Sequence, residues 1–565
     1  VGPFGKEKPL MFLIASFLLS WLIGLAITAV LVPRGFGCWN GLFRTALAWG
    51  LGIGVTSSLL FLWLLLYGSF HYGFFFLELG CLLSTLIFLL LRSLRNLSRP
   101  SAAVPHESDA KIEKRFRLGF FLLLMIGTGI LILVSLLAPH GDWDAWAIWN
   151  NRARFIFRSG RLWRDAFSPL IHWSHPDYPL LLPLTVSRCW FYWGRESLAV
   201  PAFVAIGFSL SIIAFLVSAL GVIKNKTQGY LGGILLLSAP SFLTHGASQY
   251  ADIPLAFFIL AAIVTLYGYD HFPFKDQSWL VLGGLLAGFS AWTKNEGLLF
   301  VFILLLLRFG KVFSRPLSGR RWAETVLFLS GLVPPLFLLF LFKTILAPRN
   351  DLLSLMTWDL VKSHLNDPGR YLLIGKTFFT TLFFFGDGPL PLLPFLLIYA
   401  LWVGRSSSLS GPWPFAPLSL QLLGYLLVFL LTPQDLRWHL GTSLGRLMLH
   451  LWPAFLWVLL AQMKTPEEAW KRKNPSPIAL PCFDKSNESG LPLLKASLIS
   501  PEKSPNGIAS IPLNLLKMAR SSGRLFPWPS KNAGKVASRF PFYLCGLFSH
   551  GSITSAKVVS VGKLD

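Results

Sequence analysis

The chain has 565 residues, 54% of them hydrophobic and only 13% charged, with a mean hydropathy of +0.59. No water-soluble core of that length takes in so much apolar surface, so a soluble globular protein is excluded. The net charge of +24 does not indicate a nucleic-acid partner, because the basic residues fall in short loops between apolar runs and in the C-terminal stretch, as the positive-inside rule dictates.

The expected fold class is all-α, a polytopic transmembrane helical bundle, since only closed helices satisfy their backbone in lipid when many apolar runs follow in series. Three runs, roughly 9–33, 46–67 and 71–91, come first, the first read as a retained span rather than a signal peptide. A basic loop follows, with Arg92, Arg95, Arg99, Lys111, Lys114, Arg115 and Arg117. These 117 residues form a leading segment before an expected core over 118–463. A fourth run, 118–138, leads into a polar, motif-dense loop over 139–190. With the basic loop cytoplasmic, that loop lies outside.

Within the loop, GDWDAWAIWNNRARF predicts an amphipathic helix over 144–158 lying in the interface, with Trp146, Trp149, Ala153 and Phe157 on one side. Asn150, Asn151, Arg154 and Arg158 face away. Asp142 and Asp144 bracket Trp143 at its start. One of the two is expected to cap the helix; the other is a candidate general base for an acceptor hydroxyl. The Pro-bracketed turn His175-Pro176-Asp177-Tyr178-Pro179 carries three polar side chains suited to substrate hydrogen bonding. Trp163, Trp173 and Tyr178 read as interface anchors. The run 180–193 is too short to cross and is placed near the outer surface.

Further crossings follow, about 12 or 13 spans in all by hydropathy and length. Asp252, in QYADIP, opens one of them and reads equally as a cap and as a functional carboxylate. Arg152, Arg154, Lys294, Arg437 and Arg446 fall on the outer side, against the positive-inside trend. Snorkelling explains some; recognition of a lipid-borne phosphate by planar guanidinium groups explains others. No Gly-rich phosphate loop follows a strand, and no metal-ligand spacing exists around the five cysteines, so neither a cofactor nor a metal is called. From Lys464 the composition turns to Ser, Pro, Lys and Gly, and 464–565 reads as a disordered cytoplasmic tail.

At these residues the chain resembles the GT-C class of integral-membrane glycosyltransferases. The likeness is to the group of protein O-mannosyltransferases, lipid A aminoarabinose transferases and rhizobial galacturonosyltransferases. It covers about 118–460 and rests on GDWDAWAIWNNRARF, HPDYPLLLP, QYADIPLAFF and WTKNEGLLF, with TPQDLRWHLGTSLGRLMLHLWP fitting bacterial members. The resemblance implies a polyprenyl-phosphate-linked sugar donor and transfer, usually with inversion, to a hydroxyl of a cell-envelope glycan, lipid or protein. It places the reaction on the extracytoplasmic side of a multi-pass membrane protein, such as one of a bacterial inner membrane. It assigns the base to Asp144 or Asp142 and a second acid to Asp252. It assigns donor-phosphate contacts to Lys294, Arg437 and Arg446, with His439 beside them, and substrate contacts to Arg154, His175, Asp177 and Tyr178. The family's Lys-Pro-Pro turn is His-Pro-Asp-Tyr-Pro here, without its lysine. A transporter or flippase of lipid-linked sugars is the alternative, and membrane lipids rather than nucleic acid are the surroundings of either.

Overall fold

The computed structural model describes residues 8–32, 39–95, 109–271, 276–313, 319–350, 354–385, 391–406 and 414–473. Among them the regular structure is helical and no β-strand forms. Among the described residues eight helices are long and apolar enough to cross a membrane. They are α1 (Leu10–Leu31), α2 (Asn40–Tyr67), α3 (Gly73–Arg95, apolar to Leu91), α4 (Ala110–Leu137), α7 (Ala199–Ile223), α10 (Asp252–His271), α13 (Gly319–Ile345) and α18 (Leu436–Gln462). Between them lie α5 (Asn150–Arg158), α6 (Leu181–Trp193), α8 (Lys226–Leu237), α9 (Pro240–Ala247), α11 (Ser278–Thr293) and α12 (Asn295–Phe313). Helices α14 (Trp358–Leu365), α15 (Pro368–Phe383), α16 (Leu392–Val403) and α17 (Ala416–Leu431) precede α18, and α19 (Pro466–Lys473) follows it.

The burial pattern is that of a protein dissolved in lipid. Along α4, Leu118, Phe121, Leu122 and Met125 are all at least half exposed, a surface that in water would drive association. The chain is a multi-pass membrane protein. By contrast α10 is buried along its whole span and is the axis of the bundle, packed by α2, α7, α11 and α18. Capping side chains set the helix starts: Asp109 accepts from Lys111 and Ile112 N–H, Asn225 from Gln228, and Asp435 from Trp438.

The leading helices reach into the centre. On α2, a Cβ at Gly50 would lie 2.2 Å from the Phe257 ring and one at Gly54 2.6 Å from the Phe289 ring, so these glycines let the two rings, from α10 and α11, pack directly on the α2 backbone. Glu78 on α3 and Arg188 on α6 form a fully buried bidentate pair at 2.6 and 2.9 Å, with Arg188 also donating to Ser16 O at 3.1 Å and Tyr192 OH to Glu78. The run 180–193 packs within the protein and not against lipid, as every residue of α6 is buried. Its thirteen residues are short because they thread the interior and need not span lipid.

The stretch expected as a disordered tail opens with an ordered piece. In α19, Glu467 accepts from Asn225 Nδ2 at 3.0 Å and from the Thr227 hydroxyl, pinning it to the α7–α8 turn. The rest of that stretch, 474–565, lies outside the described residues.

Candidate active site

The polar loop after α4 does not continue as one amphipathic helix. A π-helical turn, Ala145–Trp149, precedes α5. Its wider i→i+5 closure inserts a residue and shifts the phase of the helix. Trp149, Ala153 and Phe157 are buried as the spacing predicts, but Trp146 turns outward and Asn150 inward. Asp142 takes the start of the turn: its side chain accepts from Trp143 N–H at 2.7 Å and its carbonyl from Ala145 N–H at 3.0 Å. Asp144 makes no cap bond and is free to point across the site.

The loop is sewn to the segment before α10. Asp142 N–H donates to Ser248 O at 3.3 Å. Gln249 holds a left-handed φ of 62°, a strained choice for a residue with a Cβ. Its amide is gripped from both ends, accepting from Asn150 Nδ2 at 2.8 Å and donating to Pro139 O at 3.1 Å. Tyr250 OH accepts from Asp144 N–H at 3.2 Å, and the Arg446 guanidinium lies 5.3 Å over the Tyr250 ring. Burial, with the Asp144 and Asp142 carboxylates, pushes the Tyr250 hydroxyl well above its ordinary range, so it stays neutral.

Four elements meet here. Asp252, 1% exposed, stands at the first position of α10. It accepts from Lys294 Nζ at 2.9 Å and pairs with His450 Nε2 at 2.6 Å. Arg446 pairs with Asp144 and lies 4.0 Å from Asp252. Lys294 is the one-residue corner between α11 and α12 and also binds Glu296 at 3.1 Å. The corner is tight: a Cβ at Gly297 would sit 2.0 Å from Ser290 O. His450 Nδ1 faces Tyr425 OH at 3.2 Å. With Asp252 ionised, Nε2 donates and Nδ1 accepts.

A second cluster holds the HPDYP turn. Asp177, 3% exposed, accepts from Asn295 Nδ2 at 3.0 Å and Asn350 Nδ2 at 2.8 Å, and lies 3.5 Å from Lys343 Nζ. Lys343 also donates to Asn295 Oδ1 at 2.9 Å. Arg152, 1% exposed, donates to the carbonyls of Tyr178, Ser174 and His175 at 3.0, 2.8 and 2.5 Å, and burial lowers its pKa to about 10. It braces the turn and neither snorkels nor binds phosphate. His175, at φ 47°, stacks on Tyr178, which stacks on Trp149. Trp163 is no interface anchor, since it is wholly buried.

The sequence candidates therefore divide. Asp144, Asp252, Lys294 and Arg446 converge; His175, Asp177 and Tyr178 build the adjoining turn. Arg154 is engaged elsewhere, 3.7 Å from Glu196 and over the Trp190 ring. Arg437 is exposed and nine residues before Arg446 on α18, about 180° round the helix from it. His439 lies on the Arg446 face, about 20° off after seven residues, and its Nδ1 faces the Thr432 hydroxyl at 2.9 Å. Sequence reasoning missed His450, Asn295 and Lys343. Only His450 carried a local signal, one helical turn beyond Arg446.

Residues 175–345 match the family model for dolichyl-phosphate-mannose-protein mannosyltransferase. The chain is a glycosyltransferase, similar over that span to the GT-C class. The matched span of this glycosyltransferase runs from the HPDYP turn to the end of α13 and holds Asp177, Asp252, Lys294 and Lys343. Asp144 and Arg446 lie outside it and are joined to it by contact with Tyr250 and Asp252. The match brings with it a lipid-phosphate-linked sugar donor. No curated protein and no solved structure matches the chain significantly. Among the described residues no group of three or more His, Cys, Asp or Glu side chains is placed to hold a metal ion.

Proposed function

We propose that the glycosyltransferase moves a sugar from a polyprenyl-phosphate donor to a hydroxyl of a cell-envelope glycan, lipid or protein, with Asp144 as the base. The observation that carries this reading is the sharing of one guanidinium, Arg446, by Asp144 and Asp252, carboxylates more than a hundred residues apart. A base and a phosphate-binding cation in contact is the juxtaposition an acyl-free glycosyl transfer needs. The acceptor oxygen attacks the anomeric carbon from the face opposite the phosphate, and its proton passes to Asp144. The anomeric carbon–oxygen bond breaks, and its electron pair leaves with the polyprenyl phosphate, which gains a negative charge. Protonation neutralises Asp144 and releases Arg446 from it at the moment the leaving phosphate needs a cation. Asp252, whose Oδ1 is held by Lys294 and His450, keeps Arg446 in place through Oδ2, 4.0 Å away.

The site is assigned to the extracytoplasmic side. It lies at the start of α10, whereas the Arg308, Lys311, Arg320 and Arg321 cluster lies by Asp270, eighteen residues further along that helix, or about 27 Å. Membranes containing the protein, supplied with radiolabelled polyprenyl-phosphate sugars, test the reading. Label is expected in an acceptor with wild type and not with Asp144→Asn; label retained in the lipid fraction with both would overturn it.

A further inference from the structure

At the far end of α10 a second group of charged side chains gathers, outside the reaction site. Asp270 pairs with Lys311 Nζ at 3.1 Å, and Glu324 on α13 accepts from Tyr269 OH at 2.7 Å and Arg320 Nε at 3.1 Å. Arg308 lies among them, 4% exposed, its guanidinium 5.8 Å from the Phe328 ring centroid. Its Nε and one terminal nitrogen have no hydrogen-bond partner among the described residues, nor has a buried terminal nitrogen of Arg321. Arg321, Glu324 and Phe328 recur at the spacing of one helix face, so Arg321 stands on the same side of α13 as the Phe328 ring that Arg308 approaches from α12. Four cations face two carboxylates, which leaves positive charge in excess.

Two features make this arrangement unfavourable as it stands. Buried guanidinium nitrogens without acceptors carry a desolvation cost that proteins seldom leave uncompensated. Arg320 and Arg321 also occupy the first turn of α13, where no acidic residue is present and where the helix dipole disfavours positive charge. One change removes both: an anion with several acceptor oxygens, seated against the N-terminus of α13 and bonded by Arg308 and Arg321.

We infer that this cluster binds the phosphate headgroup of an anionic phospholipid. The cluster lies about one hydrocarbon thickness from Asp252. Lipid phosphates lie at that depth, and basic recesses between spanning helices at the cytoplasmic face select acidic lipids. Titrating the delipidated full-length protein in detergent with phosphatidylglycerol, phosphatidylcholine or inorganic phosphate, and reading the thermal midpoint, tests this. Phosphatidylglycerol is expected to raise the midpoint and phosphatidylcholine not to. Arg308→Gln and Arg321→Gln should each weaken the apparent affinity at least about tenfold, the loss of one charge-assisted bond. Should Arg308→Gln fail to fold, the half-buried Arg321 carries the test alone. An equal response to phosphatidylcholine, or an unaltered one in Arg321→Gln, overturns the site. An equal response to inorganic phosphate overturns its assignment to a lipid.

Discussion

Replacing Lys294 by Met separates two roles that the sequence left together. A donor-phosphate ligand would show its loss in donor KM, and a structural cation in stability. The ammonium is bonded to Asp252 at 2.9 Å and Glu296 at 3.1 Å with a side-chain exposure of 6%, so two of its three N–H donors and its charge are already engaged. Removing one partner of a buried pair costs about 3–5 kcal/mol. Asp252 keeps His450 at 2.6 Å and Arg446 at 4.0 Å, which points to the lower end. A loss of about 3 kcal/mol is a factor of about 150 in the folded-to-unfolded ratio. Heating detergent-solubilised protein and following the monodisperse fraction by size exclusion measures it. Lys294→Met should fall out of solution at clearly lower temperature. The double variant Lys294→Met with Asp252→Asn should recover part of the loss, because no stranded charge remains at the head of α10. A Lys294→Met protein as heat-resistant as wild type, with only donor KM raised, would refute the reasoning and make Lys294 a phosphate ligand.

Asp144→Asn should cut transfer by about 10²–10⁴, the usual contribution of a general base, while membrane insertion is retained. Asp142→Asn, which touches only the helix start, should leave turnover near wild type in the same radiolabel assay. Glu78→Met strands Arg188 and should cost about 3–5 kcal/mol, whereas Glu78→Met with Arg188→Met should regain most of it, read as thermal midpoints of the three proteins. Gly297→Ala puts a methyl 2.0 Å from a carbonyl oxygen and should lower stability by about 1–3 kcal/mol, together with activity, because Lys294 is displaced with the corner.

Scarcity made much of this site legible. In a chain so poor in charge, Asp144, Asp252, Lys294 and Arg446 stood out; the first three lie at helix ends, and Arg446, about three turns into α18, reaches Asp144 and Asp252 from its side. What stayed hidden needed pairings that one-dimensional spacing does not carry. The π-turn shifts phase by a residue without any compositional mark, so Trp146 and Asn150 exchanged faces. Arg152 and Arg154 look alike in the sequence, yet one is consumed by three carbonyls and the other by Glu196. Lys343 reaches the HPDYP turn from more than 160 residues away, and nothing local to either segment announces the other. Glu78 and Arg188 each sit within an apolar run, where only the partner explains the charge.

The contact of Gly50 with Phe257 and Gly54 with Phe289 bears on how small this enzyme can be made. A shortened version beginning at Leu118 would strip the backing from the two helices that carry Asp252 and lead into Lys294. Lipid tails, being fluid, would not hold those helices in register. Trimming the amino-terminal third of the bundle should therefore abolish turnover even though every reacting group remains in the product.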